Sequence, residues 1–262
     1  MKEEIRIFFT ALMFYTRIPC PKNIDHSPEY INKATRYFPL IGWIVGAISC
    51  IVFLISARVF DTNTAILFSL MAGILLTGAF HEDGLADAFD GFGGGWSKAR
   101  ILEIMKDSRV GAYGVIALIF LFAIKYVAFV QLPLSTQQTG YTHMALLFVS
   151  YHALARLTAV NLVFTSRYSR EDDNSKAKPI AREHGYREII GAYFFGLSPL
   201  AGICLFNLKY ALVIVPLFLL CFFSKKYFEK WIHGYTGDCL GAVEQLAEIT
   251  ILLSFVVIWK FM

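Results

Sequence analysis

The residues best suited to chemistry lie in one short acidic segment. Residues 81–95 read His-Glu-Asp-Gly-Leu-Ala-Asp-Ala-Phe-Asp-Gly-Phe-Gly-Gly-Gly and directly follow an apolar run. If this segment is helical, Asp83, Asp87 and Asp90 lie at positions i, i+4 and i+7, within an arc of about 60°. Like charges on one helix face repel each other, so a shared cation would stabilise them. Oxygen ligands without a nearby cysteine suit Mg²⁺ better than Zn²⁺.

Two more acids are candidate metal ligands. Glu82 belongs to the same segment, and Asp238 ends the glycine-rich turn Gly-Tyr-Thr-Gly-Asp ahead of another apolar run. Asp238 could complete a metal site or simply cap a helix. For the acidic segment itself, the alternatives to a metal site are a solvated helix end and a cation pathway through a membrane.

Basic residues that could bind an anion follow the acidic segment. Lys106 and Arg109 are three residues apart, so a helix would project them from neighbouring positions, where they could neutralise phosphate oxygens. Their alternative role is to anchor a membrane span at the lipid headgroups. Arg17, at the end of an N-terminal apolar run, is either a further substrate contact or an interfacial charge.

Two apolar runs also contain basic residues. Arg156 shares a helical face with His152, and a buried arginine needs an anionic partner or a water-filled cavity. We therefore expect Arg156 to reach an anionic substrate, and His152 to be an ordinary core histidine. Lys125 is expected to extend outward to the membrane surface.

Composition indicates an all-α, polytopic integral membrane bundle. Of the 262 residues, 56% are hydrophobic and 17% charged, and the mean hydropathy is +0.55. Soluble domains are about 25% charged. We expect one domain, 1–262, with a short interfacial helix at 5–15 and about seven spans. The expected spans are 38–60, 64–80, 111–132, 142–164, 189–208, 210–224 and 246–262.

The placement of charge predicts the orientation. Alternate segments hold 19 of the 24 Lys and Arg residues, namely the N-terminus and the loops 81–110, 165–188 and 225–245. The opposite loop 132–141 carries no charge. By the positive-inside rule the basic segments, and with them every candidate site residue, face the cytoplasm. The polar stretch 166–187 is either a lid or a solvated connection.

Several motifs together resemble the cobalamin synthase family, the adenosylcobinamide-GDP ribazoletransferases. The resemblance rests on His-Glu-Asp-Gly-Leu-Ala-Asp (81–87), Glu-Ile-Met-Lys-Asp-Ser-Arg (103–109) and Tyr-Thr-Gly-Asp (235–238). Arg-Ile-Pro (17–19) and Phe-Pro-Leu-Ile-Gly (38–42) are similar as well, so the likeness runs through most of the chain.

The resemblance implies a Mg²⁺-dependent phosphotransfer in a cell (inner) membrane. A ribose hydroxyl of α-ribazole, or of its 5′-phosphate, would attack the cobinamide-linked phosphorus of adenosylcobinamide-GDP and release GMP. The implied partners are these small molecules and the lipid bilayer, with no nucleic acid. A homo-oligomer, or association with other enzymes of the pathway, stays open.

This chemistry distributes roles over the candidate residues. Asp83 and Asp87 are the first-choice ligands, with Asp90 or Asp238 completing the shell. The attacking hydroxyl needs a base, for which Asp90 and His81 are the open alternatives. Phosphate contacts would come from Lys106, Arg109 and Arg156.

The rival hypotheses are a cation-coupled transporter and a membrane scaffold for other enzymes. A transporter favours acids near the middle of the membrane and related halves. Here the acids cluster at one end of a span, and no internal repeat is apparent. A scaffold would explain the spans but not the carboxylates.

Overall fold

Helices make up nearly all of the regular structure. The computed structural model describes residues 3–22, 24, 27–134, 136–169 and 184–261, and these contain no β-strand beyond one isolated bridge. Most of the expected lid or connection at 166–187 therefore lies outside the described residues. In chain order the helices are α1 Glu3–Tyr15, α2 Pro28–Ala34, α3 Phe38–Ser56, α4 Thr62–Thr77, α5 Phe80–Gly94, α6 Lys98–Ile104, α7 Ala112–Gln131, α8 Thr136–Thr165, α9 Tyr186–Cys204, α10 Ile214–Ile232 and α11 Gly237–Lys260.

The predicted all-α polytopic class is confirmed, although fewer helices than expected are long and apolar enough to span a membrane. Within the described residues there are five such segments, or six if α4 and α5 form one bent span. The sequence predicts about seven. The five segments are Pro28–Ser56, Ala112–Gln131, Gly140–Thr165, Leu208–Ile232 and Gly237–Lys260.

The difference lies in α4 and α9. α4 has 16 residues and is about 24 Å long, shorter than a hydrocarbon core of about 30 Å. α9 begins with the polar residues Tyr186, Arg187 and Glu188 and contains Pro199. It nevertheless runs beside α3, where Trp43 Nε1 donates to its Phe195 carbonyl at 2.7 Å.

The basic segments come together at one end of the bundle, in agreement with the charge pattern. Direct contacts join them in the described part of the chain. These contacts are the ion pair of Arg36 with Glu188, the hydrogen bond from Lys225 Nζ to the Thr165 carbonyl at 2.6 Å, and the backbone hydrogen bond from Ser169 to Tyr235 at 2.9 Å. This basic end also contains the acidic segment.

A sharp bend separates the acidic segment from the apolar run before it. α4 and α5 meet at 86° across Gly78 and Ala79, both in the left-handed backbone region with φ of 70° and 58°. The predicted span 64–80 therefore ends early, at Thr77. Arg17 lies over the bend, because its backbone N–H donates to the Leu76 carbonyl at 2.8 Å and its guanidinium covers Gly78.

We expect Gly78→Ala to destabilise the protein. A side chain in the left-handed region costs about 1–2 kcal/mol, and the new Cβ would lie 2.0 Å from Nε of Arg17. Ala79→Gly is the matched control and should be neutral or stabilising, because glycine accepts the same conformation without strain. Thermal unfolding of both variants in detergent measures the effect. Equal melting temperatures would show that the bend carries no strain.

Close packing of α3 against α8 fixes the interior of the bundle. Gly42 and Gly46 are spaced as in a Gly-x-x-x-Gly pair, and a Cβ on them would lie 2.6 Å from the carbonyl oxygens of His152 and Phe148, respectively. Such small residues let two membrane helices approach backbone to backbone. The contact fixes the turn of α8 that carries His152 and Arg156.

Candidate functional site

The acidic segment is a helix, as the spacing predicts. α5 covers residues 80–94, so Asp83, Asp87 and Asp90 share one face. Their environments differ, because Asp83 is exposed, Asp87 half-buried and Asp90 buried. Glu82 is buried as well and points into the bundle. Solvent therefore reaches only some of the carboxylates on this helix.

Asp90 joins α5 to α7. One of its oxygens accepts a hydrogen bond from the backbone N–H of Gly111 at 2.6 Å, and the other accepts one from Gly114 at 2.9 Å. These amides lie at the N-terminus of α7, where the helix dipole favours a negative charge. A Cβ on Gly111 or Gly114 would lie within 2.5 Å of the carboxylate. Glycine at both positions therefore allows the contact.

Lys106 and Arg109 follow a helix instead of lying in one, which corrects the helical arrangement expected for them. α6 ends at Ile104, and the next residues form a turn that leads to α7. The Arg109 side chain is 87% exposed and its Nη2 lies 2.6 Å from Oδ2 of Asp107. This contact lowers the pKa of Asp107 to about 2. Asp107 is therefore ionised, and paired, at any pH well above that value.

The bond between Asp90 and Gly111 also positions this basic turn. Arg109 lies two residues before Gly111, so the turn is held at the end of α5 that carries Asp90. Lys106 is exposed on the same turn. The predicted phosphate-binding residues are thereby brought beside the acidic helix.

Asp238 lies against the acidic helix. α11 begins at Gly237, with Thr236 as its cap, so Asp238 occupies the first helical turn and is not itself the cap. The two backbones touch, because a Cβ on Gly84 would lie 3.2 Å from the Cα of Asp238. The predicted last span, 246–262, therefore begins nine residues earlier, and its first turn is part of the candidate site.

The acids of the site suit a Mg²⁺ ion whose coordination is completed by other ligands. They do not surround the ion on all sides. In the described residues no three His, Cys, Asp or Glu side chains are arranged to hold a metal ion. Both oxygens of Asp90 are engaged by α7, and Glu82 faces the interior. Asp83, Asp87 and Asp238 are hard oxygen donors that solvent reaches, the first two on α5 and the third in the first turn of α11. Mg²⁺ commonly binds one or two carboxylates, water and substrate phosphates, so this donor set fits it.

A buried charge network lies beneath the acidic helix. Its centre is Glu248 of α11, whose carboxylate contacts Lys125 Nζ at 2.5 Å, the Tyr151 hydroxyl at 2.6 Å and His152 Nδ1 at 2.8 Å. Lys125 is only 2% exposed. The expectation that Lys125 extends outward is therefore wrong, because its ammonium finds a carboxylate inside the bundle.

Arg156 belongs to the same network. It is 1% exposed, and its Nη1 lies 2.9 Å from Oε1 of Glu244. Gln245 Nε2 donates to Glu244 at 2.9 Å and to Glu82 at 3.3 Å, which links the network to α5. His81 of α5 also faces Glu244, with Nδ1 at 3.7 Å from its Oε2. The anionic partner that a buried arginine requires is thus supplied by the protein itself.

A small cavity of about 20 Å³ opens among these side chains. Four atoms of its lining residues have no hydrogen-bond partner within the described part of the chain, namely Ser49 Oγ, His81 Nε2, Glu82 Oε2 and Arg156 Nε. A cavity of this size holds about one water molecule. The interior below α5 is therefore polar.

Sequence reasoning identified some members of this network and missed others. Glu244 and Glu248 are four residues apart and so share a helical face, which makes them weak candidates from sequence, whereas Tyr151 and Gln245 give no signal in isolation. The usable signal was the presence of Lys125, Arg156 and two glutamates in otherwise apolar runs. When residues of opposite charge occur within membrane-spanning runs, they are expected to pair with each other.

Known proteins resemble this chain over nearly its whole length. The model of a family described as cobalamin-5-phosphate synthase (CobS) matches residues 7–256. An adenosylcobinamide-GDP ribazoletransferase of Shewanella oneidensis is 39% identical over 259 residues, which cover 98% of this chain and 95% of the relative. A protein of the same name from Shewanella amazonensis is 41% identical over 264 residues, with 99% and 98% covered. No solved structure matches the chain significantly.

Proposed function

The chain belongs to the cobalamin-5-phosphate synthase family, and we propose that it acts as an adenosylcobinamide-GDP ribazoletransferase within a membrane. The reaction would join α-ribazole, or its 5′-phosphate, to adenosylcobinamide-GDP and release GMP. The observation that carries this proposal is the 39–41% identity over nearly full length to enzymes of that name. The acids of α5 beside a basic turn provide independent chemical support.

We propose Mg²⁺ as the cofactor, held by one or two of the acids Asp83, Asp87 and Asp238, with water and substrate phosphates as its other ligands. Exposure supports this choice, since these three acids are more open to solvent than Glu82 and Asp90. When bound, the ion would neutralise charge on the diphosphate and on the departing GMP. Asp90 instead holds α7 and the basic turn in place.

The basic turn would bind the diphosphate. Arg109 reaches solvent and presents a planar guanidinium, which suits two phosphate oxygens at once. Its contact with Asp107 lies at the surface and is easily exchanged for a phosphate. Lys106 would add a second positive charge. Arg17 covers the bend at the start of α5, which leaves it a candidate contact for the same substrate.

Arg156 has a different role in this proposal. Its contact with Glu244 is buried, so a bond to phosphate would require that pair to open. We therefore assign Arg156 to the support of α11 and α5 from within the bundle. The first turn of α11 carries Asp238. By holding α11 in place, Arg156 would therefore also help to position the acids at the surface.

His81 is the better supported of the two candidate bases. Both oxygens of Asp90 already accept backbone hydrogen bonds, whereas Nε2 of His81 faces the cavity without a partner in the described residues. In the reaction the ribose hydroxyl would lose its proton to this base through the one water molecule that the cavity can hold. The hydroxyl oxygen would form the new bond to the cobinamide-linked phosphorus. The bond between that phosphorus and the oxygen of the departing GMP would break.

We propose that the site faces the cytoplasm. The basic segments meet at the end of the bundle that carries α5, and the positive-inside rule assigns that end to the cytoplasmic side. Ser97→Cys and Arg58→Cys, each made in a background without the five native cysteines, are labelled with an impermeant thiol reagent in intact cells to test the orientation. The Arg58→Cys variant should react and the Ser97→Cys variant should not. The reverse pattern would contradict the proposal.

The activity is tested with purified protein in liposomes. Adenosylcobinamide-GDP and α-ribazole, or its 5′-phosphate, are supplied with and without Mg²⁺, and GMP release is measured. The proposal requires release that depends on both substrates and on the metal. Absence of release with either acceptor would reject it, and release without added divalent cation would reject the metal assignment.

Arg109→Ala should raise the KM for adenosylcobinamide-GDP by roughly tenfold or more, because a charge-assisted hydrogen bond contributes about 1.5–3 kcal/mol. Its melting temperature should not change, since the side chain is 87% exposed. Arg100→Ala is the matched control, because Arg100 is an exposed arginine on α6 that pairs with Glu103. Unchanged kinetics for Arg109→Ala would return Arg109 to an anchoring role.

A further inference from the structure

A long groove lies between α8, α9 and α10, apart from the candidate site. Its volume is about 690 Å³. Each of the three helices contributes one apolar stripe to it, spaced as neighbouring positions on a helix face. Leu157, Leu197 and Leu217 are representative of the three stripes.

Apart from Thr158, whose hydroxyl donates to the Leu154 carbonyl within α8 at 2.8 Å, the polar side chains that line this groove lie at one end. Asn161 of α8 accepts a hydrogen bond from the Tyr193 hydroxyl of α9 at 2.7 Å, and Lys225 of α10 donates to the Thr165 carbonyl at 2.6 Å. The opposite end is lined by residues such as Cys204 and Ile214. The groove is therefore amphipathic along its length, with the cation Lys225 at its polar end, where Glu229 lies 3.8 Å from it in an exposed ion pair.

The length of the groove matches one lipid leaflet. On α8 its lining extends from residue 154 to residue 165, which corresponds to about 16 Å of helix. The hydrocarbon core of a bilayer is about 30 Å thick, so the groove covers about half of it. Lys225 lies at the basic end of the bundle, where headgroups of that leaflet would lie.

The groove suits an acyl chain with a charged headgroup at one end, because its lining is apolar except at Thr158 and near Lys225. An acyl chain is thin and flexible enough to follow the apolar stripes. Aromatic rings also line the groove, and one of them, Phe218, is 66% exposed and could contact the chain. A second cation, Lys226, lies 4.4 Å from the ring centroid of Phe222 at the same end.

We propose that this groove binds an acyl chain of an anionic phospholipid, with the headgroup phosphate at Lys225. The apolar stripes would hold the chain, and Lys225, with Lys226 nearby, would select for negative charge. Binding is reversible and involves no covalent step. The site is distinct from the acids of α5 and does not depend on the proposed reaction.

Native mass spectrometry of the purified protein tests the proposal. The detergent-solubilised protein is mixed with phosphatidylglycerol or phosphatidylcholine of the same acyl chains, and the bound lipid is counted. The wild type should retain phosphatidylglycerol preferentially. Lys225→Gln should lower that preference about fivefold, as expected for one cation at an anionic lipid surface. Ala201→Trp, which fills the groove from an exposed position, should lower retention of both lipids.

Lys209→Gln is the matched control. Lys209 lies at the other end of the bundle, where it donates to the Phe261 carbonyl at 2.9 Å, and its loss should leave lipid retention unchanged. Thermal unfolding checks that each variant is folded. Equal lipid retention by the wild type and both groove variants would overturn the proposal. Loss of a dimer in Ala201→Trp without loss of lipid would also overturn it, in favour of a second copy on this face.

Discussion

Asp87→Asn is expected to lower the rate of GMP release by roughly a thousandfold or more, with the protein still folded. The carboxylate lies half-buried on α5, on the helix face that it shares with Asp83 and Asp90, and an amide keeps its shape but not its charge. Loss of one preorganised charge at a phosphoryl-transfer site commonly has an effect of this size. Steady-state assays over a range of Mg²⁺ concentrations measure it, and Asp83→Asn should behave alike.

Asp61→Asn is the matched control for this prediction. Asp61 caps α4 at the opposite end of the bundle, and asparagine caps a helix about as well as aspartate. Its activity and melting temperature should therefore equal those of the wild type. Near-normal turnover of Asp87→Asn at low Mg²⁺ would remove Asp87 from the metal site.

Glu248→Ala is expected to have the largest effect on stability, about 3–5 kcal/mol, because it leaves a buried charge without its partner. The carboxylate contacts Lys125, Tyr151 and His152, and both Lys125 and Glu248 are almost fully buried. Chemical or thermal unfolding in detergent measures the loss. Glu229→Ala, which removes an exposed glutamate paired with Lys225, should cost less than about 1 kcal/mol.

A double-mutant cycle separates the ion pair from its surroundings. Lys125→Met alone should destabilise the protein, because it leaves the Glu248 charge less compensated. Lys125→Met combined with Glu248→Gln should be more stable than the sum of the single changes predicts, since both buried charges are then gone. Strict additivity would show that Lys125 and Glu248 contribute independently.

Much of the fold follows from patterns within single helices. The spacing of Asp83, Asp87 and Asp90 correctly predicts one helix face, and apolar runs correctly predict the spanning helices α3, α7 and α8. Charge placement also predicts which segments meet at one end. These features are local, or follow from the cost of moving charge through lipid, so a single sequence suffices to find them.

Features that depend on contacts between helices were missed. Hydropathy counts Glu244 and Gln245 as polar, so it places the start of the last span after them, although Arg156 and Lys125 are their partners inside the bundle. Lys125 was misread for the same reason. The bend at Ala79 has no sequence signal of its own, because alanine rarely adopts a positive φ and there depends on surrounding packing.

The candidate site was predicted in composition but not in detail. The structure brings Asp238 and the basic turn beside α5, as the motif pattern suggested. It also gives Asp90 a positioning role that residue type alone does not reveal. That role comes from the amides of Gly111 and Gly114, whose orientation depends on where α7 begins.

The buried ion pairs bear on how the chain can be inserted into a bilayer. A charged residue at the centre of a lone helix raises its insertion free energy by about 2.5–3.5 kcal/mol. Lys125 on α7 and Arg156 on α8 are synthesised before α11 brings Glu248 and Glu244 to them. Until α11 leaves the ribosome, α7 and α8 carry unpaired charges and remain poorly soluble in lipid. Stable integration of this bundle is therefore a late, collective event.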